Sequence, residues 1–124
     1  MNEYELAEFF REELHMKTDV VVTKYILFAD NQKVIVDIVL KNEEHEIVIE
    51  HKGSGDIVEI ERGIGQALIN LLIYKESWLS VPEHALKLAI PILERINVEA
   101  FRILDWENMQ LYELKNGKAV ATGL

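Results

Sequence analysis

The stretch Val34-Ile35-Val36-Asp37-Ile38-Val39-Leu40-Lys41, then Asn42-Glu43-Glu44-His45, then Glu46-Ile47-Val48-Ile49-Glu50-His51-Lys52 decides the fold. Two runs of β-branched and apolar residues flank a polar segment of hairpin-loop length. This predicts antiparallel strands at Val34–Leu40 and Glu46–His51. The first strand is apolar on both faces, with Val34, Val36, Ile38 and Leu40 on one side and Ile35 and Val39 on the other. Such a sheet is expected to be covered on both sides. With residues 42–45 as the loop, Lys41 pairs with Glu46 and Asp37 falls opposite Glu50. Directly opposed Cβ atoms lie about 4.5–5.5 Å apart. Lys52, two residues beyond Glu50, projects from the same face. Two carboxylates and an ammonium thus converge in an otherwise apolar sheet.

Upstream, Asn2 to Met16 reads as a helix with Leu6, Phe9, Phe10 and Leu14 on its buried face. Asn2 is its expected N-cap, and Glu3 and Glu5 favour its first turn. Thr18 to Phe28 reads as a strand, followed by a turn at Asp30-Asn31-Gln32. Downstream, the loop Gly53-Ser54-Gly55-Asp56 leads into a long helix from Ile57 to about Ser77. Its core face is Ile60, Ile64, Ala67, Leu68, Leu71 and Tyr74. That helix is long enough to cross over to a parallel strand, expected at Ala85 to Ile90 and stopped by Pro91. Ala100–Asp105 and Met109–Leu114 form a closing hairpin around Trp106-Glu107-Asn108, and Asn116-Gly117 signals a turn before a last short strand. The order is α-β-β-β-α-β plus a hairpin. It predicts a single α/β domain over residues 1–124 with a central mixed sheet flanked by helices.

The composition fits this reading. A chain of 124 residues, 49% hydrophobic and 28% charged, has the size and balance of one globular domain. The absence of cysteine excludes disulfides, cysteine-ligated zinc and thiol nucleophiles. The 22 acidic against 13 basic residues give a net charge of -9, opposite in sign to what a polyanion-binding surface requires. Any DNA-contacting surface therefore has to be assembled locally in space. Neither a signal peptide nor a membrane-length apolar run is read, so the expectation is a cytoplasmic protein with no membrane partner. His15, His45 and His84 show no ligand spacing.

A bare Glu-x-Lys carries little information, and Glu113-Leu114-Lys115 repeats it. Glu50 differs because an acid-bearing strand precedes it and a long helix follows. Val36-Asp37-Ile38-Val39-Leu40, Ile47-Val48-Ile49-Glu50-His51-Lys52-Gly53 and the helical Gly63-Ile64-Gly65-Gln66-Ala67-Leu68 together resemble the PD-(D/E)XK nuclease superfamily. That family has a restriction-endonuclease-like αβββαβ core. The resemblance runs from about Glu3 to Asp105, and Ala85-Leu86-Lys87-Leu88-Ala89-Ile90-Pro91 is similar to the strand that follows the family's second helix.

The resemblance implies a metal-dependent nuclease that hydrolyses phosphodiester bonds in DNA. Asp37 and Glu50 would hold Mg2+ (or Mn2+), with the backbone carbonyl of His51 as a third ligand. Lys52 would be the motif lysine and Gln66 the helix glutamine aimed at the site. An acid from the first helix is often added. Glu3, in Glu3-Tyr4-Glu5-Leu6, is similar to the opening of archaeal Holliday-junction resolvases, and Glu13 competes for the role. Asn70 stands where the family often has tyrosine, with Tyr74 one turn further on. The motif lysine is often called a general base, but an ordinary lysine is protonated at neutral pH, which suits Lys52 instead to stabilising transition-state charge and orienting water. The alternative is a catalytically inactive protein of the same fold, serving as a binding or assembly module. A second helix stripe, Arg62, Gln66, Ile69 and Ile73, is expected to be covered by the chain itself or by the partner subunit of a homodimer.

Overall fold

A computed structural model describes residues 1–13, 19–27, 33–41 and 45–124. The expected helix end from Leu14 to Met16, the strand-end residues Thr18 and Phe28, the turn at residues 30–32 and loop residues 42–44 lie outside the described residues. The elements are α1 (Glu3–Glu13), β1 (Asp19–Leu27), β2 (Lys33–Lys41), β3 (Glu46–His51), α2 (Ile57–Asn70), β4 (Glu76–Val81), α3 (Leu86–Ile96), β5 (Phe101–Asp105), β6 (Gln110–Lys115) and β7 (Lys118–Gly123). A single 3-10 turn at Glu83–Ala85 leads into α3.

Seven strands form one mixed sheet in sequence order, β1 to β7. The β3–β4 and β4–β5 pairs are parallel and the others antiparallel. Both parallel crossovers advance in the same direction. Right-handed connections then place α2 and α3 on one face. Their residues Ile60, Ala67, Ala89 and Leu93 pack there on Leu79, Val81, Phe101 and Ile103. On the opposite face, Leu6, Ala7 and Phe10 of α1 pack on Ile38, Ile49, Trp78 and Leu104. The protein is thus an α/β domain whose mixed sheet is flanked by helices on both faces, and its first six elements run α-β-β-β-α-β. None of the described helices is long and apolar enough to cross a membrane.

The β2–β3 register is the expected one, running from Lys41 opposite Glu46 to Ile38 opposite Ile49. Helix α1 opens with a capping box. Asn2 Oδ1 accepts the Glu5 N–H at 2.9 Å, and Glu5 Oε1 accepts the Asn2 N–H at 3.2 Å.

The middle of the chain departs from the sequence reading. The strand expected at Ala85–Ile90 is instead the 3-10 turn and the start of α3, with Pro91 inside that helix. Pro91 is the sixth residue of α3, so only one intrahelical bond, to the Lys87 carbonyl, is forfeited there. The fourth strand is Glu76–Val81, all six residues of it buried. Helix α2 accordingly ends at Asn70 rather than Ser77. A tight turn follows in which the N–H groups of Leu71, Leu72 and Ile73 reach the carbonyls of Leu68, Ile69 and Asn70. Tyr74 is therefore not on the helix. It is buried against Val36, Val39 and Val48.

Candidate active site at the ends of strands β3 and β4

One step beyond the last ladder pair, Asp37 and Glu50 meet on the α2 side of the sheet. The Asp37 carboxylate accepts the His51 N–H at 2.8 Å, so a side chain takes over as partner where the ladder pairs end. Glu50 is 2% exposed. Its Oε1 accepts a hydrogen bond from Asn70 Nδ2 at 3.1 Å. Asn70, itself 1% exposed, is the last residue of α2. Its carbonyl takes the N–H groups of Ile73 and Tyr74 at 3.0 and 2.8 Å, so the amide is anchored through its own backbone.

The buried carboxyl is electrostatically unfavourable. Burial first, and the Asp37 charge second, push Glu50 up from 4.5 to about 8. The Asn70 hydrogen bond and, more weakly, Lys52 act in the opposite direction. Glu3, held in the first turn of α1 by the capping box, is also raised, by burial and then by Asp37. Glu3 is thus near enough to Asp37 to feel its charge, but it is not among the groups that act on Glu50. Glu13 is exposed at the far end of the same helix.

Lys52 is fixed by its backbone. Its N–H donates to the Ser80 carbonyl at 2.8 Å, and its carbonyl accepts Trp106 Nε1–H at 3.0 Å. Its side chain runs across Gly63 of α2, where a Cβ would sit 3.1 Å from Lys52 Cε and 2.5 Å from Leu79 Cδ1. A glycine is needed there for close approach. The ammonium reaches the first turn of α2 and lies 3.5 Å from Glu59 Oε2. Its ion pair is therefore with Glu59, not with the two acids on which the sequence reading converged it.

Gln66 is exposed, and no hydrogen bond from its side chain is found among the described residues. It lies between Gly63 and Asn70 on the helix row that borders the site, but the amide that enters the site is that of Asn70. The His51 ring faces away from Glu50. Its Nδ1 lies 3.0 Å from Ser80 Oγ and its Nε2 2.7 Å from the Met1 carbonyl oxygen. Burial is the main cause that lowers its pKa. This ring packs and positions the end of β3, which leaves the His51 backbone carbonyl as the donor implied by the resemblance.

The sequence reading assigned no site role to Trp106 or Glu59, and noted Asn70 only as a departure from the family pattern. The one signal was Asn70 itself, an amide interrupting the apolar run from Ala67 to Tyr74.

No group of three or more His, Asp or Glu side chains is arranged to hold a metal among the described residues. The expected donor set has two carboxylates and a main-chain carbonyl. Magnesium is typically bound by one or two carboxylates and completes its shell with water. A desolvated acid pair whose nearest ammonium is engaged elsewhere fits such a hard cation.

A solved crystal structure of a protein of unknown function, AF1548, is similar to this chain. The TM-score is 0.54 at 12% identity, covering 85% of this chain and 58% of that one. The likeness is one of fold. This chain spans less than two-thirds of that protein's length. No family model and no curated protein matches the sequence.

The acid pair makes a testable contribution to stability. Replacing Asp37 by Asn keeps an oxygen to accept the His51 N–H and removes a charge facing Glu50 and Glu3. In chelator at about pH 9, where Glu50 is ionised, Asp37→Asn is expected to be at least as stable as wild type, by about 0.5–1 kcal/mol. Added magnesium or manganese should raise the melting temperature of wild type and leave the mutant nearly unchanged. A mutant melting well below wild type in chelator makes Asp37 a structural partner instead.

Proposed function

We propose that this protein is a metal-dependent nuclease of the PD-(D/E)XK type that hydrolyses phosphodiester bonds in DNA. One observation carries the reading: Glu50, 2% exposed, is set against Asp37 at the end of β3, with Lys52 two residues on. Burying a carboxylate beside a like charge is costly without a counter-charge. Protonation and the Asn70 hydrogen bond offset part of that cost, and a bound divalent cation would offset it with Glu50 ionised.

In this reading Asp37, Glu50 and the His51 carbonyl hold Mg2+ or Mn2+. The bound ion supplies a Lewis acid for the phosphoryl oxygens and a more acidic water. The rest falls to the chain's own groups. Asn70 keeps Glu50 in one orientation through its hydrogen bond. Lys52 holds its proton at Nζ and offers positive charge to the phosphoryl oxygens as they gain charge. Ser80 and Trp106 fix the backbone on either side of that lysine. Glu3 adds a third carboxyl at the rim. The reading places the protein in the cytoplasm with DNA as its partner.

The test is nicking of supercoiled DNA with magnesium or manganese, arrested by chelator. Purified wild type that never cleaves, in either metal and on duplex or branched DNA, overturns the reading. The net charge of -9 favours a second reading, a non-catalytic binding module of the same type. That protein would bind metal at the acid pair and leave DNA intact.

A cutter of two strands needs two sites, and the proposal includes a homodimer. On α2, Ile69 is 48% exposed, and in the turn beyond the helix end Leu72 is 77% and Ile73 41% exposed. Ile73→Glu is expected to shift the protein from dimer to monomer in light scattering. A wild type already monomeric at high concentration ends this part of the proposal.

A further inference from the structure

The ammonium of Lys52 and the guanidinium of Arg62 share one carboxylate. Glu59 Oε2 lies 3.5 Å from Lys52 Nζ, and Glu59 Oε1 lies 3.7 Å from an Arg62 guanidinium nitrogen. The three groups differ in freedom. The Lys52 side chain is 14% exposed and confined by Gly63, while Glu59 is 38% and Arg62 70% exposed. A confined cation and an exposed one thus flank a partly exposed carboxylate in the first turn of α2. A bidentate anion between two cations is also the geometry a phosphate group would adopt.

We propose that Glu59 is a built-in competitor for the anion site formed by Lys52 and Arg62, displaced when a phosphate-bearing strand arrives. The inference rests on the nuclease reading for the identity of that strand, but not for the competition itself. Glu59 satisfies the two cations in the resting protein and keeps Lys52 directed at the helix. An arriving phosphate meets both cations only after the carboxylate swings into solvent, which its exposure allows. The cost of that exchange sets the affinity, so Glu59 filters weak anions in favour of a ligand held at several points.

The test uses inorganic pyrophosphate, titrated calorimetrically in metal-free buffer into the intact chain. Glu59→Gln should bind it about three- to fivefold more tightly than wild type, the worth of an exposed ion pair. The gain should vanish in a Lys52→Ala background. Glu61→Gln, an exposed acid on the opposite side of the same helix, should give no comparable gain. Equal affinity of wild type and Glu59→Gln, a gain that persists without Lys52, an equal gain from Glu61→Gln, or no binding to any variant each overturns the proposal. Wild-type DNA cleavage with manganese is measured separately. Cleavage without the Glu59 effect sinks the competitor alone. The Glu59 effect without cleavage sinks the nuclease reading alone.

Discussion

In chelator the protein is expected to melt about 5–10 °C lower at about pH 9 than at about pH 6.5, and magnesium or manganese should remove most of the difference. Glu50 is the origin. Its folded-state value of about 8 stands above the ordinary 4.5, so the native state holds that proton more tightly than the unfolded chain. The stabilisation is complete below 4.5 and is lost as pH rises through about 8. Ionising this buried group costs on the order of a few kcal/mol. His51 acts oppositely, because its pKa is lowered from 6.5 and its contribution is lost as pH falls below that value. Working above pH 6.5 therefore removes the opposing contribution of His51. In the proposed reading a divalent ion would bind the ionised pair and stabilise the native state by mass action, by about 2.7 kcal/mol at a hundredfold excess over its dissociation constant. Glu50→Gln should flatten the pH dependence and abolish the metal response together. Thermal melts across pH, with and without metal, decide it. A wild type whose stability is flat from pH 6.5 to 9 in chelator removes Glu50 as a strained carboxyl.

Lys52→Ala is expected to slow DNA cleavage by about 10²–10³-fold, the usual loss when one preorganised donor to developing charge is removed. Metal binding should survive, because the implied ligands are the two carboxylates and a main-chain carbonyl. The melting shift on adding manganese should therefore match wild type. The backbone bonds from Ser80 and Trp106 do not depend on the lysine side chain, so the end of β3 keeps its place. Single-turnover nicking rates and metal-dependent melts measure the two halves separately. A mutant that cleaves at the wild-type rate takes Lys52 out of the chemistry.

The acid pair was legible in the sequence because hairpin register is arithmetic. Once the loop was placed at residues 42–45, every pair from Lys41–Glu46 to Ile38–Ile49 followed. The N-cap at Asn2 was legible for a similarly local reason, whereas its reciprocal bond with Glu5 was not read. The centre of the sheet was not. Helical spacing continues through Tyr74, and the turn after Asn70 is closed by backbone bonds without glycine or proline to mark it. Glu76–Val81 was thereby partly absorbed into the helix, and its place was given to the apolar run before Pro91. Short apolar runs fit a buried strand or a buried helix equally well, and burial decided between them. The same obscured turn hid the role of Asn70, since its value depends on where α2 stops. The Lys52–Glu59 pair was also out of reach, because it depends on how closely α2 lies on β3 at Gly63.

The indole of Trp106 gives the site an optical handle. The chain has two tryptophans. Trp78 is 5% exposed in the core, with its Nε1–H donated to Glu76 at 2.6 Å. Trp106 donates to the carbonyl of Lys52, and its ring centroid lies 5.9 Å from that of His51. Intrinsic emission therefore divides into a constant core component and one that senses the end of β3. With Trp78 replaced by Phe, the remaining fluorophore would sit one hydrogen bond from the Lys52 backbone. Occupation of the acid pair, or release of Lys52 from Glu59, then becomes visible as a change in emission from the unlabelled protein.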